Sequence, residues 1–544
     1  MAGEIIRWLL IIECGQLLAY PLTAQLFRYL PSKGVAFSRI VSLILTGYCY
    51  WILNELGVIQ NNLGGLLLSL LPMILLSAYF FKKNFYELVK WTRENNRFLF
   101  ISELLFLAGF ALIVTFRIAD PSIAGTEKPM EMMFINSILN SETFPPQDGW
   151  LAGYGISYYY FGYLLSAILI QLTNVPSAVG FNLMLATVFG MAAAGAFGIV
   201  NDLVQQDPHT DKVKTHLSSL LAPLMMLVMG NLEGSLEVLH ARGFFWNADG
   251  ISTFWKWLGI KELDVAPTMA AGWDPTGRAG IWWWRASRVL SDTGLDGSSK
   301  EIIDEFPFFS FFLGDLHPHV IGIPFVLTAL AIALNLYFQK EHWGTGSLMA
   351  RPDEFWLSRM TRFLKSGDFW FAALAIGALL FMNTWDFPIY FGILILTATL
   401  ARSEEEDGIR KLIVRILIYA VPLGIVCLGM YGLFMSSLSS QAGGLVPSGV
   451  FATRPIHFLI MFGCFLLPVV VWAVVSGKNN DPLIIKKSVF AALKIFLALF
   501  VASAGLYLIL MLVARAPLDP ASGGIRALLK VGGDAYAGVQ GAVG

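Results

Sequence analysis

Long apolar runs alternate with short polar segments along the chain. The runs fall near 5–27, 38–54, 63–81, 98–116, 157–173, 177–200, 216–231, 317–338, 369–383, 387–401, 411–434, 456–475 and 488–513. Most approach the roughly 20 residues that a helix needs to span a bilayer. The alternating pattern of a membrane barrel is missing. The pattern predicts an all-α, polytopic transmembrane protein with about 12–13 membrane segments.

Composition narrows the class. The 544 residues are 56% hydrophobic and 14% charged, whereas a soluble domain is nearer a quarter charged. Mean hydropathy is +0.65. The lipid bilayer is thus the first partner. A net charge of −1 gives no reason to expect nucleic acid. Cys14, Cys49, Cys427 and Cys464 all lie in apolar segments without a CxxC, which reads as buried small residues and not as a metal or disulfide set. The first run, Ile5 to Phe27, lacks a small-residue cleavage signature and reads as a retained span.

Loop charge orients the spans, because Lys and Arg collect on the cytoplasmic side. Lys82, Lys83, Lys90, Arg93 and Arg97 place 82–97 inside. Arg28, Lys33 and Arg39 do the same for 28–37, while 55–62 has no Lys or Arg. The next span therefore crosses outward, and Asp120, Glu127 and Glu131 face the non-cytoplasmic side. Lys340, Arg351, Arg359, Arg362 and Lys365 mark 339–368 as inside. Counting back places 305–319 and 383–388 outside. Residues 157 and 304 are then both outside, although three apolar segments lie between them. One of these segments fails to cross, or the Trp-rich stretch 232–304 hides a further crossing.

Several segments break the apolar pattern. The loop 117–156 carries Asp120, Glu127, Lys128 and Glu131, then FPPQDGW, and runs into SYYYFGYLL. Tyr158, Tyr159 and Tyr160 point around most of a helix, so at least one faces the interior and needs a polar partner. An interfacial aromatic belt accounts for the others. GNLEG stops an apolar run on Asn231 and Glu233, as a helix cap or a polar site. WWWRASR places Arg285 and Arg288 one helical turn apart on an aromatic bed, which suits a phosphate. A Trp-anchored interfacial helix is the plainer alternative. DLHPHV brings Asp315, His317 and His319 close enough to consider a divalent metal, Mg or Mn. A broken helix satisfying its own backbone is the plainer account. NTWDFP sets Asp386 between two apolar segments, as a turn or as a cavity group. Every one of these segments that charge can orient faces the same side, which points to one outer polar cavity.

Taken in order, GTEKPMEMMF, FPPQDGW, SYYYFGYLL, GNLEG, WWWRASR, EFPFFSF, GDLHPHV and NTWDFP resemble the "YYY" membrane protein family, a domain of unknown function, over roughly residues 100–400. Members often continue into a segment containing RxNTxFKxY, which is not found here, so that piece is either lost or supplied by a partner membrane subunit. The layout is also similar to GT-C integral-membrane glycosyltransferases. In those, a span is followed by an acidic outer loop and a Pro-rich approach to the next span.

That resemblance implies a GT-C-like core at 98–400, preceded by the helices of 1–97 and followed by the helices of 401–514 and a small-residue tail at 515–544. It implies transfer of a sugar from a polyprenyl-phosphate-linked donor, outside the plasma membrane. Glu127 is then the first candidate for general base or metal ligand, followed by Glu131 and Asp120. Substrate contacts would come from Lys128, Tyr158, Tyr159, Tyr160, Asn231, Glu233, Arg285, Arg288 and Asp386. The rival classes are a membrane transporter, marked by broken helices at mid-membrane, and a non-catalytic subunit that binds a lipid headgroup.

Overall fold

The computed structural model describes residues 2–206, 211–268, 282–293, 299–339, 365–403, 408–439, 453–479 and 482–515. Of the segments read above, the inner loop at 340–364 and the tail from 516 lie outside the described residues. Among the described residues, nine helices are long and apolar enough to cross a membrane. The count rises to ten when the broken pair Lys212–Val228 and Glu233–Ala241 is taken as one. Three shorter apolar helices, Phe161–Thr173, Gly367–Met382 and Asp386–Leu400, complete the set. The chain is a multi-pass α-helical membrane protein. Its only strands among the described residues, Ser291–Thr293 and Ser299–Glu301, form one short antiparallel pair.

The first helices are α1 (Ala2–Leu26), α2 (Ser38–Glu55), α3 (Leu63–Glu94), α4 (Asn96–Ala119), α5 (Lys128–Asn140), α6 (Phe161–Thr173) and α7 (Ser177–Val204). Two boundaries differ from the hydropathy reading. The charged stretch after residue 81 is not a loop; α3 continues to Glu94 past a non-helical Asn84. Trp91 of this extension donates to the Pro31 carbonyl at 3.0 Å, so tertiary contact holds a helix that hydropathy alone ends early. The run near 157 enters its helix only at Phe161, since Tyr160 is the N-cap. The segment at 212–241 is the interrupted one of the three between 157 and 304, where loop charge requires an even number of crossings.

The chain divides into two compact units. One holds Met1–Val228 and Ser310–Ser439; the other holds Met229–Phe309 and Ser440–Gly544. In the first, α7 is apolar on nearly every face and sits at the core. Its Gly190 lies against the α4 backbone, where a Cβ would come within 2.6 Å of the Phe106 carbonyl oxygen. Small residues permit this close approach where lipid supplies no hydrophobic drive for helix association.

Two ionisable groups buried in this unit have charged or hydrogen-bonding partners. Arg39 is buried against Glu13 at 2.8 Å and Glu103 at 2.6 Å. Asp202 is fully buried and accepts from the Ser32 backbone at 2.7 Å and its hydroxyl at 2.6 Å. Asp202→Ala would leave both donors buried and unpaired. The expected loss is at least about 2 kcal/mol, read as a lower melting temperature in detergent.

The second unit has a smaller core around Trp255, Leu258, Ile260, Leu263 and Val289. The helices Pro455–Asn479 and Pro482–Arg515 belong to it. Little of Pro455–Gly477 and none of Ile485–Gly505 is buried within this chain, as expected of surface facing lipid.

Candidate functional site

In the first unit, the start of α5 meets the turn that precedes the helix Pro318–Phe338. The sequence builds both sides. Pro129 occupies the first turn of α5, where a missing N–H costs nothing. The buried face of α5 is Lys128, Glu131, Phe134, Ile135 and Ile138, a helical stripe with Glu131 at an apolar position. On the other side, the helix Pro307–Leu313 ends at Gly314, which has φ +80. The N–H groups of Gly314 and Asp315 return to carbonyls of Phe311 and Ser310 at 3.2 and 3.1 Å. This is a glycine C-cap with left-handed backbone. His317 is extended as N-cap of the next helix, because the residue before proline avoids helical dihedrals.

Two carboxylates converge on one imidazole nitrogen. Glu131 Oε1 and Glu127 Oε2 each lie 3.1 Å from His317 Nδ1. Glu131 is fully buried, and its Oε2 accepts the Leu316 N–H at 3.1 Å. Glu127 stands at the exposed side, with 60% of its side chain accessible. The Tyr158 hydroxyl is 3.4 Å from His317 Nε2. With Nδ1 protonated, His317 donates to a carboxylate; with Nε2 protonated and donating to Tyr158, Nδ1 is free to ligate a cation. Asp315 is buried beside them. One ligand-type atom each from Glu131, Asp315 and His317 lies within 4.8 Å of the others.

The electrostatics follow from enclosure. Burial pushes the Glu131 carboxyl up to about 7, and the Leu316 N–H and Asp315 pull the other way. Burial lowers the Lys128 ammonium, and Arg117 lowers it further; Asp120, Asp315 and Glu131 oppose this. Lys128 Nζ donates to the Leu313 carbonyl at 3.1 Å. Burial also raises the Tyr158 phenol.

Other residues singled out from the sequence fall into several groups. Asp120 is exposed and caps its own turn by accepting the Ser122 N–H at 3.1 Å. Tyr159 rests on Tyr158, with ring centroids 4.2 Å apart. Tyr160 is the inward tyrosine: it is fully buried and bonded to Glu55 and to Trp51, each at 3.2 Å. His319 lies beside His317, ring to ring at 5.2 Å. Asp386 accepts from Asn383 at 3.1 Å.

The remaining candidates sit in the second unit. Asn231 closes the turn before the helix Glu233–Ala241, accepting the Glu233 N–H at 3.1 Å and donating to the Ala286 carbonyl at 2.6 Å. Glu233 is buried at the start of its helix. Arg285 is buried between Glu237, at 3.0 Å, and Glu262. Arg288 pairs with Glu301 at 3.1 Å and lies over the Trp284 ring. The stretch Trp282–Ser287 is a 3₁₀ helix and not the α-helical turn expected. Both arginines are thus matched by carboxylates of their own unit, which argues against their holding a free phosphate.

Sequence reasoning missed Arg117. It is buried at the end of α4 and bonds to Asn182 at 2.6 Å and the Ser122 carbonyl at 2.7 Å. Gly314 packs directly on its guanidinium, where a Cβ would be 2.4 Å from Nη1. The signal was an arginine closing an apolar run. Sequence reasoning also missed an open groove of about 980 Å³ on the opposite face of α5, lined by Met132, Asn136, Asn140, Gln147 and Asp148 among others.

No curated protein and no solved structure matches the chain. A family model does, over residues 45–533: Uncharacterized membrane protein (DUF2298). The chain belongs to that family.

Proposed function

We propose that this membrane protein is a glycosyltransferase. It moves a sugar from a polyprenyl-phosphate-linked donor to an acceptor hydroxyl on the non-cytoplasmic face of the cell membrane. The observation that carries the reading is the pair of carboxylates on His317: Glu127 reachable from outside, Glu131 buried behind it. Loop charge before α4 supports the sidedness.

Glu127 acts as general base. It takes the acceptor's proton while the acceptor oxygen bonds to the anomeric carbon. The bond from that carbon to the phosphate oxygen breaks, and polyprenyl phosphate leaves with the electron pair. A carboxylate in this role must be positioned, and His317 holds it. Developing charge on the leaving phosphate needs a nearby cation. Lys128 adjoins Glu127 at the start of α5 and is assigned that role, in place of the partnered Arg285 and Arg288.

The test is binding of citronellyl-phosphate-linked mannose or glucose to purified protein in nanodiscs. Wild type is expected to bind, and Lys128→Met to bind about 10- to 100-fold more weakly, as for loss of a charge-assisted hydrogen bond. Equal binding by the two would remove Lys128 from the donor site. No binding to wild type would overturn the reading.

A further inference from the structure

We infer that Glu131, Asp315 and His317 form a binding site for one divalent transition-metal cation of the Mn²⁺ type. Three observations carry this beyond a cluster of acids. The first is geometry. The three ligand-type atoms lie within 4.8 Å of one another, close to the span of two metal–oxygen bonds of about 2.2 Å each. They come from segments some 185 residues apart in sequence, each fixed by backbone bonds.

The second is charge. Glu131 and Asp315 are both buried, and Glu127 adds a third carboxylate against the same imidazole. Two cations stand near. Lys128 is engaged with the Leu313 carbonyl, and Arg117 with Asn182 and the Ser122 carbonyl. His319 faces Glu131 from the helix Pro318–Phe338, and Asp386, at the start of Asp386–Leu400, lies within electrostatic reach of His319.

The third is an orphaned group. The Tyr163 hydroxyl is fully buried and has no hydrogen-bond partner among the described residues. It lies within electrostatic reach of Glu131, Tyr158, Asp315 and Glu127. A buried hydroxyl left unpaired is uncommon, and a water on a cation held by the cluster would satisfy it.

The donor set selects the class of ion. Two carboxylates with an imidazole suit Mn²⁺ better than Ca²⁺, which takes an all-oxygen shell. His319 is not among the three ligands.

This inference does not depend on sugar transfer. Cation uptake is measured without donor, by the loss of the free Mn²⁺ electron paramagnetic resonance signal on adding purified, chelator-stripped protein. One Mn²⁺ per chain is expected, with nitrogen coupling from His317. Glu131→Gln and Asp315→Asn are expected to weaken uptake at least 10-fold. His317→Ala should abolish the nitrogen coupling, and Asp120→Asn should bind as wild type. Melting curves in chelator establish that each variant is folded; should Glu131→Gln fail to fold, the half-buried His317 provides the readout. No uptake by wild type, or uptake unchanged in Asp315→Asn and His317→Ala, would overturn the site.

Discussion

Glu127→Gln is expected to lower sugar transfer by about 100- to 10,000-fold, the usual contribution of a general acid or base. Glutamine keeps the size of the side chain and can still accept from His317, but it cannot take the acceptor's proton. Glu127 is exposed, so the fold does not depend on its charge. The variant should bind donor as wild type does and melt at the same temperature. The measurement is initial transfer rate beside donor affinity. A fall in rate at constant affinity assigns Glu127 to the chemical step. A fall in affinity alone would make it a binding group.

Gly314→Ala is the second large effect. The residue sits at φ +80, where a side chain costs about 1–2 kcal/mol. The added methyl would also drive into Arg117 and disturb its bonds to Asn182 and the Ser122 carbonyl. Hydrogen bonds to a charged group are each worth about 1.5–3 kcal/mol. A total on the order of 3 kcal/mol or more is expected, as a lowered melting temperature. Because Asp315 and His317 hang from the same turn, transfer should fall with it. A variant as stable and as active as wild type would show that the turn does not position the cluster.

Much of the fold was legible because hydropathy and helix length are coupled in a bilayer. The run at 98–116 became Asn96–Ala119, and the run at 177–200 became Ser177–Val204. Charged helix extensions were not legible, since Lys82 to Glu94 is as compatible with a loop as with a helix until Trp91 finds the Pro31 carbonyl.

The site was legible in residue types and not in pairings. Acids of the first polar loop and the DLHPH segment were read as two features; the structure joins them through a contact 186 positions apart. Glu131 was ranked behind Glu127 by position in the loop. Its spacing from Phe134, Ile135 and Ile138 on the inward face of α5 was there to be read, and it marks Glu131 as the enclosed member of the pair. Arg285 misled for the opposite reason. An arginine on a tryptophan bed suits a phosphate, but its partners Glu237 and Glu262 lie 48 and 23 residues away, and no local pattern announces them.

The most direct test of the account is turnover. Purified protein in proteoliposomes is given citronellyl-phosphate-linked mannose or glucose, and release of citronellyl phosphate is followed by mass spectrometry. The account predicts release by wild type and its loss in Glu127→Gln. No release by wild type, or equal release by both, would contradict it.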